Sequence, residues 1–290
     1  MTTLAAIDGE ILLPEHAKVS VFDRGFLYGD SVFETVRTYS GLPYALREHL
    51  GRLASSADRV GIQLPISLGQ FEEEVRLVVE RAGNPESYIR LMVTRGSGEL
   101  GLSPGLAVAP LRLVLVTELK PPSAATYAAG IAVICHHTRR ATDCTLAEGA
   151  KVGNYLASVL ALREAAERGA AEALIVDGDG KVVEGATSNV FFVRAGVLTT
   201  PPESAGILAG ITRAGLLAAA RELGIEVRFQ APSVADLQAA DEVFISSSIR
   251  EVLAVVQVDG VAVASGRPGP TTERLLVRFR ENVRKKLGLG

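Results

Sequence analysis

The order of strand-like and helical patterns along the chain, with one break between them, constrains the fold more than any other feature. Up to about residue 117, alternating strand-like segments surround two segments with helical spacing, Leu46 to Val60 and Leu68 to Arg81. The run Lys120-Pro121-Pro122-Ser123-Ala124-Ala125 then interrupts both periodicities. Beyond it, strands alternate with helices, which is typical of a mixed α/β domain.

We therefore predict an α/β protein of the α+β type with two domains. A small α/β domain spans residues 1–119, a linker spans 120–128, and a larger mixed α/β domain spans 129–290. The length of 290 residues alone suggests two domains of roughly 100 to 200 residues each, or one large domain. Within the small domain, residues 4–13 and 17–23 are predicted to form two short strands, and Ser40-Gly41 the turn of a hairpin.

Composition and charge exclude several classes of protein. The net charge is −3, and the one basic cluster, Arg284-Lys285-Lys286, lies at the end of a predicted helix, so no nucleic-acid partner is expected. The sequence shows no secretion signal and no apolar run of about 18 residues, which predicts a cytoplasmic protein that does not enter a membrane. Cys135 and Cys144 are predicted to be buried, and His136-His137 lacks further ligands at metal-binding spacing, so no metal is predicted.

Lysine is scarce, which draws attention to each lysine that is present. Only six of the 30 Lys and Arg residues are lysines, and Lys151 lies in EGAKVGNYLAS at the predicted start of an apolar helix. Neighbouring small residues allow a planar ligand to approach closely. A desolvated lysine amine attacks an aldehyde, which an arginine does not do. The pattern favours a Schiff-base lysine, and a surface lysine in a first helical turn is the alternative.

Three further segments carry groups that suit a phosphorylated, charged ligand. Glu184 ends a strand in VVEGATSNVFF, although a surface glutamate beside a hairpin would look the same. Gly206 to Arg213 runs directly into a predicted helix. The first N–H groups of that helix would bind a phosphate, or Thr212 would simply cap them. Ser246 to Ser248 places hydroxyl groups at the end of an apolar strand.

These segments belong to an ordered series of motifs. The series is DRGFLYGDSVFETVR (23–37), HLGRL (49–53), YIRLMVTRGSGELGLSP (88–104), KVGNYL (151–156), EGATSN (184–189), GILAGITR (206–213) and SSSIREV (246–252). Over essentially the whole chain it resembles the fold-type IV pyridoxal-phosphate enzymes, or class IV aminotransferases. The resemblance implies a cofactor at the interface of the two domains, and a homodimer.

The resemblance also implies residue roles. Lys151 forms the Schiff base with pyridoxal 5'-phosphate and then acts as the acid and base of the reaction. Glu184 keeps the pyridine nitrogen protonated, and Tyr155 hydrogen-bonds the phenolate oxygen of the cofactor. The remaining implied cofactor contacts are Arg52, Ile211, Thr212 and Ser248 at the phosphate and Leu208 at the ring.

Within this family, the strand Tyr88-Ile89-Arg90 followed by GELGLSP resembles the substrate-carboxylate segment of branched-chain enzymes. We therefore expect transamination between a branched-chain L-amino acid and a 2-oxo acid such as 2-oxoglutarate. Two residues depart from the pattern of the branched-chain enzymes. Thr35 is similar to a threonine of the lyase. Arg250 stands where branched-chain enzymes carry a small residue, and its side chain either recruits a carboxylate or points to solvent. Aminodeoxychorismate lyase and D-amino-acid aminotransferase stay open as alternatives, and a non-catalytic protein that binds the cofactor is a remote one. The substrate-binding candidates are Phe33, Thr35, Arg37, Tyr88, Arg90, Ile249 and Arg250.

Overall fold

The computed structural model describes residues 2–138 and 145–290, and contacts within the chain divide it into two units. The first unit contains Met1–Lys120 together with Cys144–Tyr155. The second contains Pro121–Asp143 together with Leu156–Gly290. Each unit contains both helices and strands, so the mixed α/β class expected from the sequence is confirmed.

The first unit is built on an antiparallel sheet. Its strands are β1 (Leu4–Ile7), β2 (Glu10–Leu12), β3 (Ser31–Tyr39), β4 (Leu42–Pro43), β5 (Ser87–Thr94) and β6 (Leu111–Glu118). Its helices are α1 (Arg24–Tyr28), α2 (Leu46–Val60) and α3 (Leu68–Ala82). The strand order is β2-β1-β6-β5-β3-β4, and these pairings are antiparallel.

Helices α2 and α3 bury their apolar faces in the core of this unit. Leu46, Leu50 and Leu53 of α2 lie in one buried cluster with Phe71 and Val75 of α3. The sheet contributes alternate residues to the same cluster, among them Val32, Val36, Ile89, Leu91, Val93, Val114 and Val116. Since side chains alternate along a strand, the other face of β3 and β5 is left for other contacts.

Turn and capping residues explain where the elements of this unit begin and end. Helix α2 has the predicted bounds and stops at Gly61, which adopts the left-handed conformation with φ of 66°. Helix α3 begins with a capping box made by Ser67 and Gln70. The hairpin of β3 and β4 confirms the turn predicted at Ser40-Gly41.

The N-terminal strand prediction was partly wrong. Residues 4–13 form a hairpin of two strands, β1 and β2, across Asp8-Gly9 rather than one strand. Residues 17–23 form no strand apart from an isolated bridge at Asp23. Residues 19–22 are exposed and pair with no neighbouring strand, and Asp23 instead caps α1 by accepting a hydrogen bond from the N–H of Gly25.

The second unit contains a mixed sheet. Its strands are β7 (Ile131–His137), β8 (Glu172–Val176), β9 (Val182–Gly185), β10 (Asn189–Arg194), β11 (Val197–Thr200), β12 (Val227–Phe229), β13 (Glu242–Ser247), β14 (Glu251–Val258) and β15 (Val261–Ala262). Its helices are α4 (Ala124–Ala129), α5 (Leu156–Glu167), α6 (Ile211–Glu222), α7 (Val234–Gln238) and α8 (Pro270–Leu287). The strand order is β12-β11-β10-β13-β14-β7-β8-β9, with β15 beside β14. Pairings of β7 with β8 and with β14 are parallel.

Buried apolar strands fill the core of the second unit. Val133, Leu174, Val190, Ile245 and Leu253 each come from a different strand and lie in one cluster. Cys135 belongs to the same cluster and is buried as predicted, and burial raises the pKa of its thiol to about 12. Cys144 lies outside the described residues. None of the helices in the described parts of the chain combines the length and hydropathy needed to cross a bilayer.

The two units differ from the predicted domain bounds at two places. The segment expected to be a linker, 120–128, contains most of α4, which is capped by Ser123. Lys151 belongs to the first unit, whereas the sequence placed it in the large domain at 129–290. It also lies before the helix rather than in its first turn, because α5 begins only at Leu156.

Candidate active site

Lys151 lies in an extended segment that runs beside β3. Its N–H donates to the Ser56 hydroxyl at 3.1 Å, and its carbonyl oxygen accepts the N–H of Phe33 at 3.0 Å. The N–H of Gly153 donates to the carbonyl oxygen of Ser31 at 2.7 Å. A Cβ atom on Gly153 would come within 2.0 Å of the Ser31 hydroxyl oxygen, so a larger residue would displace that hydroxyl. These bonds to β3 hold the segment out of a helix and fix the point from which Lys151 projects.

The side-chain amine of Lys151 lies against aromatic groups. Its Nζ donates to the Tyr155 hydroxyl at 3.2 Å and lies 4.5 Å from the centre of the Phe33 ring. The Tyr155 ring packs edge-on against Phe33, with ring centres 5.0 Å apart and an angle of 73° between the planes. Among the described residues of the first unit, no carboxylate forms an ion pair with Lys151. The amine is therefore positioned by a phenol and an aromatic ring.

Strands β3 and β5 place five of the substrate-binding candidates on one face. Thr35 pairs with Arg90 and Arg37 pairs with Tyr88 in the antiparallel register, and Phe33 lies two positions before Thr35. The Arg90 guanidinium lies 3.9 Å from the centre of the Phe33 ring. Phe33 therefore contacts both a lysine amine and an arginine.

Arg37, on the same face, is held by its own strand. Its side chain is buried, its Nε donates to the carbonyl oxygen of Thr38 at 3.4 Å, and its guanidinium lies 4.3 Å from the centre of the Tyr39 ring. The half-buried Arg90 is the more accessible of the two cations.

Glu34, on the core face of β3, is the centre of a buried charged triad. Arg52 donates to its two carboxylate oxygens from Nε at 2.6 Å and from Nη2 at 2.7 Å, a bidentate pair. His49 Nδ1 lies 2.7 Å from the same carboxylate. Burial acts to raise the pKa of Glu34, but the hydrogen bonds from Arg52 and His49 outweigh it and lower that pKa to about 2. Burial is also the main cause that lowers the pKa of His49.

The carboxylate of Glu184, in the second unit, is oriented by the backbone of Leu208. The N–H of Leu208 donates to Glu184 Oε2 at 3.0 Å, and Asn189 Nδ2 donates to the carbonyl oxygen of Leu208 at 3.0 Å. A Cβ on Gly210 would come within 2.0 Å of Asn189 Oδ1, so a larger residue at this position would displace the Asn189 side chain. Segments 184–189 and 206–210 are thus held together by hydrogen bonds between side chains of the first segment and the backbone of the second.

Helix α6 begins directly after this contact. Gly210 is its N-cap, and no side chain caps the helix, so the capping role considered for Thr212 is not formed. The first N–H groups of an uncapped helix carry partial positive charge and suit an anion. Ile211 and Thr212 occupy the first two helical positions.

Arg250 does not point into solvent. Its Nη1 pairs with Glu172 Oε2 at 2.9 Å, and only 21% of its side chain is exposed. Its Nη2 also donates to the Thr187 hydroxyl. Ser248 and Ile249 are half-buried in the same turn between β13 and β14. Of the two orientations considered for Arg250, the solvent-facing one is wrong because a buried carboxylate holds the side chain.

Sequence reasoning missed several residues that organise these segments. Glu34 and His49 stand inside the motifs FETVR and HLGRL, and Asn189 stands inside EGATSN, so their motifs offered a signal. Glu172 lies in an apolar strand, where an isolated glutamate is easily interpreted as an exposed strand-end residue. Its partner, Arg250, is 78 positions away in the sequence.

Comparisons with known proteins agree with this arrangement. The family model for amino-transferase class IV matches residues 31–258. A putative branched-chain-amino-acid aminotransferase of Methanocaldococcus jannaschii is 39% identical over 286 residues, which is 98% of this chain and 97% of the relative. A D-alanine aminotransferase of Bacillus licheniformis is 31% identical over 276 residues, which is 95% of each chain.

A solved structure is similar over the same extent. It is the branched-chain amino acid aminotransferase of T.th. complexed with N-(5'-phosphopyridoxyl)-L-glutamate, with a TM-score of 0.91 and 33% identity. The similarity covers 99% of this chain and 95% of that one. The chain therefore belongs to the class IV aminotransferases, enzymes that use pyridoxal phosphate.

Proposed function

We propose that this enzyme transfers an amino group between a branched-chain L-amino acid and a 2-oxo acid such as 2-oxoglutarate. The observation that carries the proposal is the shared contact of Lys151 and Arg90 with Phe33, at 4.5 Å and 3.9 Å from the ring centre. A reactive amine and a cation that binds carboxylates thus lie against one apolar ring. The relatives named branched-chain aminotransferases support the same substrate class.

The donor set fits pyridoxal phosphate as the cofactor. Lys151 offers an amine with no carboxylate partner among the described residues of its unit, and Tyr155 offers a phenol within hydrogen-bond distance of that amine. Glu184 offers a carboxylate already oriented by a backbone N–H. The groups that would hold the phosphate are the guanidinium of Arg52, the N–H groups of Ile211 and Thr212 and the hydroxyl of Ser248, while Leu208 would pack on the ring.

The residues divide the chemical work between them. When bound, pyridoxal phosphate supplies an aldehyde that links to amines and a protonated ring that withdraws electrons. Lys151 Nζ would act as the base that takes the proton from the substrate α-carbon and as the acid that delivers it to C4′ of the cofactor. Tyr155 keeps Nζ in place, and the carboxylate of Glu184 would hold a proton on the ring nitrogen. Arg90 would bind the distal carboxylate of glutamate, and Phe33 would provide an apolar surface for a branched side chain.

A donor and acceptor screen tests this function. L-Leucine, L-isoleucine and L-valine with 2-oxoglutarate should turn over faster than any D-amino acid with the same acceptor. A fastest rate with D-alanine would instead identify a D-amino-acid aminotransferase, the activity named for the Bacillus licheniformis relative. Pyruvate released from aminodeoxychorismate without any acceptor would identify a lyase. The observation that favours a lyase is the position of Thr35, which pairs with Arg90 across β3 and β5.

We also propose that the enzyme is a homodimer. Val21, Phe22 and Phe26 in the first unit are between 53% and 69% exposed, and Val19 and Leu27 nearby are also exposed. Large apolar groups clustered on a surface mark an interface with another protein. Sedimentation should show a dimer for the wild type and a smaller species for the double variant Phe22→Glu, Phe26→Glu. The cytoplasmic location predicted from the sequence stays a prediction.

A further inference from the structure

Glu172 on β8 is a fully buried carboxylate that has no part in the roles assigned above. Its Oε1 accepts the N–H of Ala173 at 3.0 Å. Its Oε2 is contacted by the polar groups of three side chains: the hydroxyl of Thr187 at 2.7 Å, the hydroxyl of Ser188 at 3.1 Å and Nη1 of Arg250 at 2.9 Å. A charge at this depth is tolerated only with such a full set of donors.

The donors to Glu172 come from two separate segments of the second unit. Thr187 and Ser188 belong to segment 184–189, which carries Glu184. Arg250 belongs to the turn after β13, which carries Ser248. Arg250 Nη2 also donates directly to the Thr187 hydroxyl, so the two segments touch as well as sharing a carboxylate. Glu172 and Arg250 therefore join segment 184–189 to the turn after β13. The first contains Glu184, proposed to contact the ring nitrogen, and the second contains Ser248, proposed to contact the phosphate.

The turn that carries Ser248 is also fixed from its other side. The Arg250 N–H donates to the Ser247 hydroxyl at 3.3 Å, and the Tyr127 hydroxyl donates to the Arg250 carbonyl oxygen at 3.0 Å. Glu251, the next residue, is buried with φ of 54°, and Arg280 on α8 donates to its carboxylate at 3.0 Å from Nε. A non-glycine residue persists in this conformation only where its surroundings hold it. The Arg250 side chain thus joins an ordered turn to segment 184–189, in addition to the strand pairing of Asn189 with Ser246.

We propose that Glu172 and Arg250 are positioning residues that set the spacing between Glu184 and Ser248. The inference rests on the proposed function, because it assigns those two residues to the ring nitrogen and the phosphate of one cofactor. The pyridine ring is rigid and its phosphate is attached through a short arm, so the protein groups that contact the ring nitrogen and the phosphate have to stand within a limited range of separations. Loss of the Glu172–Arg250 pair would change that separation, although neither residue is among the groups assigned above to the cofactor.

A double-mutant cycle on the apoenzyme tests this inference. The variants are Glu172→Gln, Arg250→Met and the two combined, and the measurement is the dissociation constant for pyridoxal phosphate obtained by titration. We expect each single variant to bind about tenfold more weakly, and the double variant to stay within about twofold of the singles, because residues that act as a unit are not additive. Glu242→Gln is the matched control, since Glu242 is another buried carboxylate of this unit that accepts hydrogen bonds from Thr271 and Thr272. The control should lower the unfolding temperature and leave the dissociation constant unchanged.

Two further variants keep the inference testable if Glu172→Gln does not fold. Arg250→Lys keeps the charge and should bind more tightly than Arg250→Met, and Thr187→Val removes one donor to Glu172 and should weaken binding. Cofactor dissociation constants that match the wild type in all the folded variants would overturn the inference, as would effects that simply add. A wild-type apoenzyme that binds no pyridoxal phosphate would instead overturn the proposed function itself.

Discussion

The amine of Lys151 donates a hydrogen bond to the hydroxyl oxygen of Tyr155 at 3.2 Å. Both side chains also contact Phe33, so three residues of the first unit hold one another in place. The backbone of Lys151 is fixed in turn by Ser56 and Phe33. A lysine amine that is fixed in this way is suited to repeated covalent bonding and release.

Borohydride reduction of the purified enzyme should attach the cofactor irreversibly to Lys151. Peptide mapping by mass spectrometry locates the label, and Lys151→Ala should abolish both the label and the transamination. Lys181, an exposed residue on the hairpin between β8 and β9, supplies the control, since Lys181→Ala should change neither. A label on Lys181, or on any lysine other than Lys151, would show that the assignment is wrong.

Glu184→Gln should leave the cofactor bound but reduce turnover severely, by about a hundredfold or more. The amide keeps the shape of the side chain and still accepts the N–H of Leu208, but without a negative charge it does not keep the ring nitrogen protonated. Cofactor content and kcat are measured on the same preparation. Glu226→Gln, at an exposed glutamate paired with Arg228, should behave as the wild type. Turnover of Glu184→Gln within about threefold of wild type would remove Glu184 from its proposed role.

Arg52→Ala should weaken cofactor retention more than it alters the chemistry, because a phosphate anchor holds a group that does not react. The same change removes the bidentate partner of the buried Glu34, so it should also lower the free energy of unfolding. The two effects are separated by measuring the cofactor dissociation constant and the unfolding temperature.

The double variant Arg52→Ala, Glu34→Gln distinguishes these two causes. Removing the charge of Glu34 should recover much of the lost stability, since no unpaired buried charge is left. It should not recover cofactor affinity. Wild-type affinity in both variants would mean that Arg52 serves only as the partner of Glu34.

The Glu34 triad should make stability depend on pH. The pKa of Glu34 is lowered from 4.5 to about 2 in the folded chain, so its stabilising effect is fully present above pH 4.5 and is lost as the pH falls toward 2. The contribution is of the order of 3 kcal/mol. His49 acts in the same direction, because its lowered pKa means that the unfolded chain takes up the proton more readily. Denaturant unfolding of wild type and Glu34→Gln should show a stability difference that shrinks between pH 4.5 and pH 2. A constant difference would contradict the buried ion pair.

Local patterns in the sequence predicted much of the fold. The bounds of α2 followed from apolar spacing, and the ends of α3 were predicted to within one residue. The position of Lys151 was not predicted correctly, because the helix-like spacing of its segment is overruled by backbone bonds to Ser31 and Phe33, which are more than 100 positions earlier. Contacts of that range are set by packing and leave no periodicity.

The candidate residues were predictable as types but not as partners. Phe33, Thr35, Arg37, Tyr88 and Arg90 were named from motifs, and the register of β3 and β5 then places them on one face. The pairing of Arg52 with Glu34 and of Arg250 with Glu172 depends on which buried charges meet in the folded chain. Charge alone did not predict either pairing, because the sequence contains several carboxylates that could pair with each arginine.

Arg90→Ala should impair transamination of glutamate far more than that of leucine. Both substrates use one pocket, which has to accept a distal carboxylate in one case and a branched apolar group in the other. The Arg90 guanidinium lies on the Phe33 ring at 3.9 Å, so a cation and an apolar surface are available side by side. Without the cation, glutamate loses its charged contact, and leucine keeps the ring. We expect kcat/KM for glutamate to fall by about a hundredfold and that for leucine by less than about fivefold. Arg76→Ala, on the exposed side of α3, is the control for loss of an arginine and should change neither. Equal losses for the two substrates would show that Arg90 binds the carboxylate next to the α-carbon, which both share, rather than the distal one.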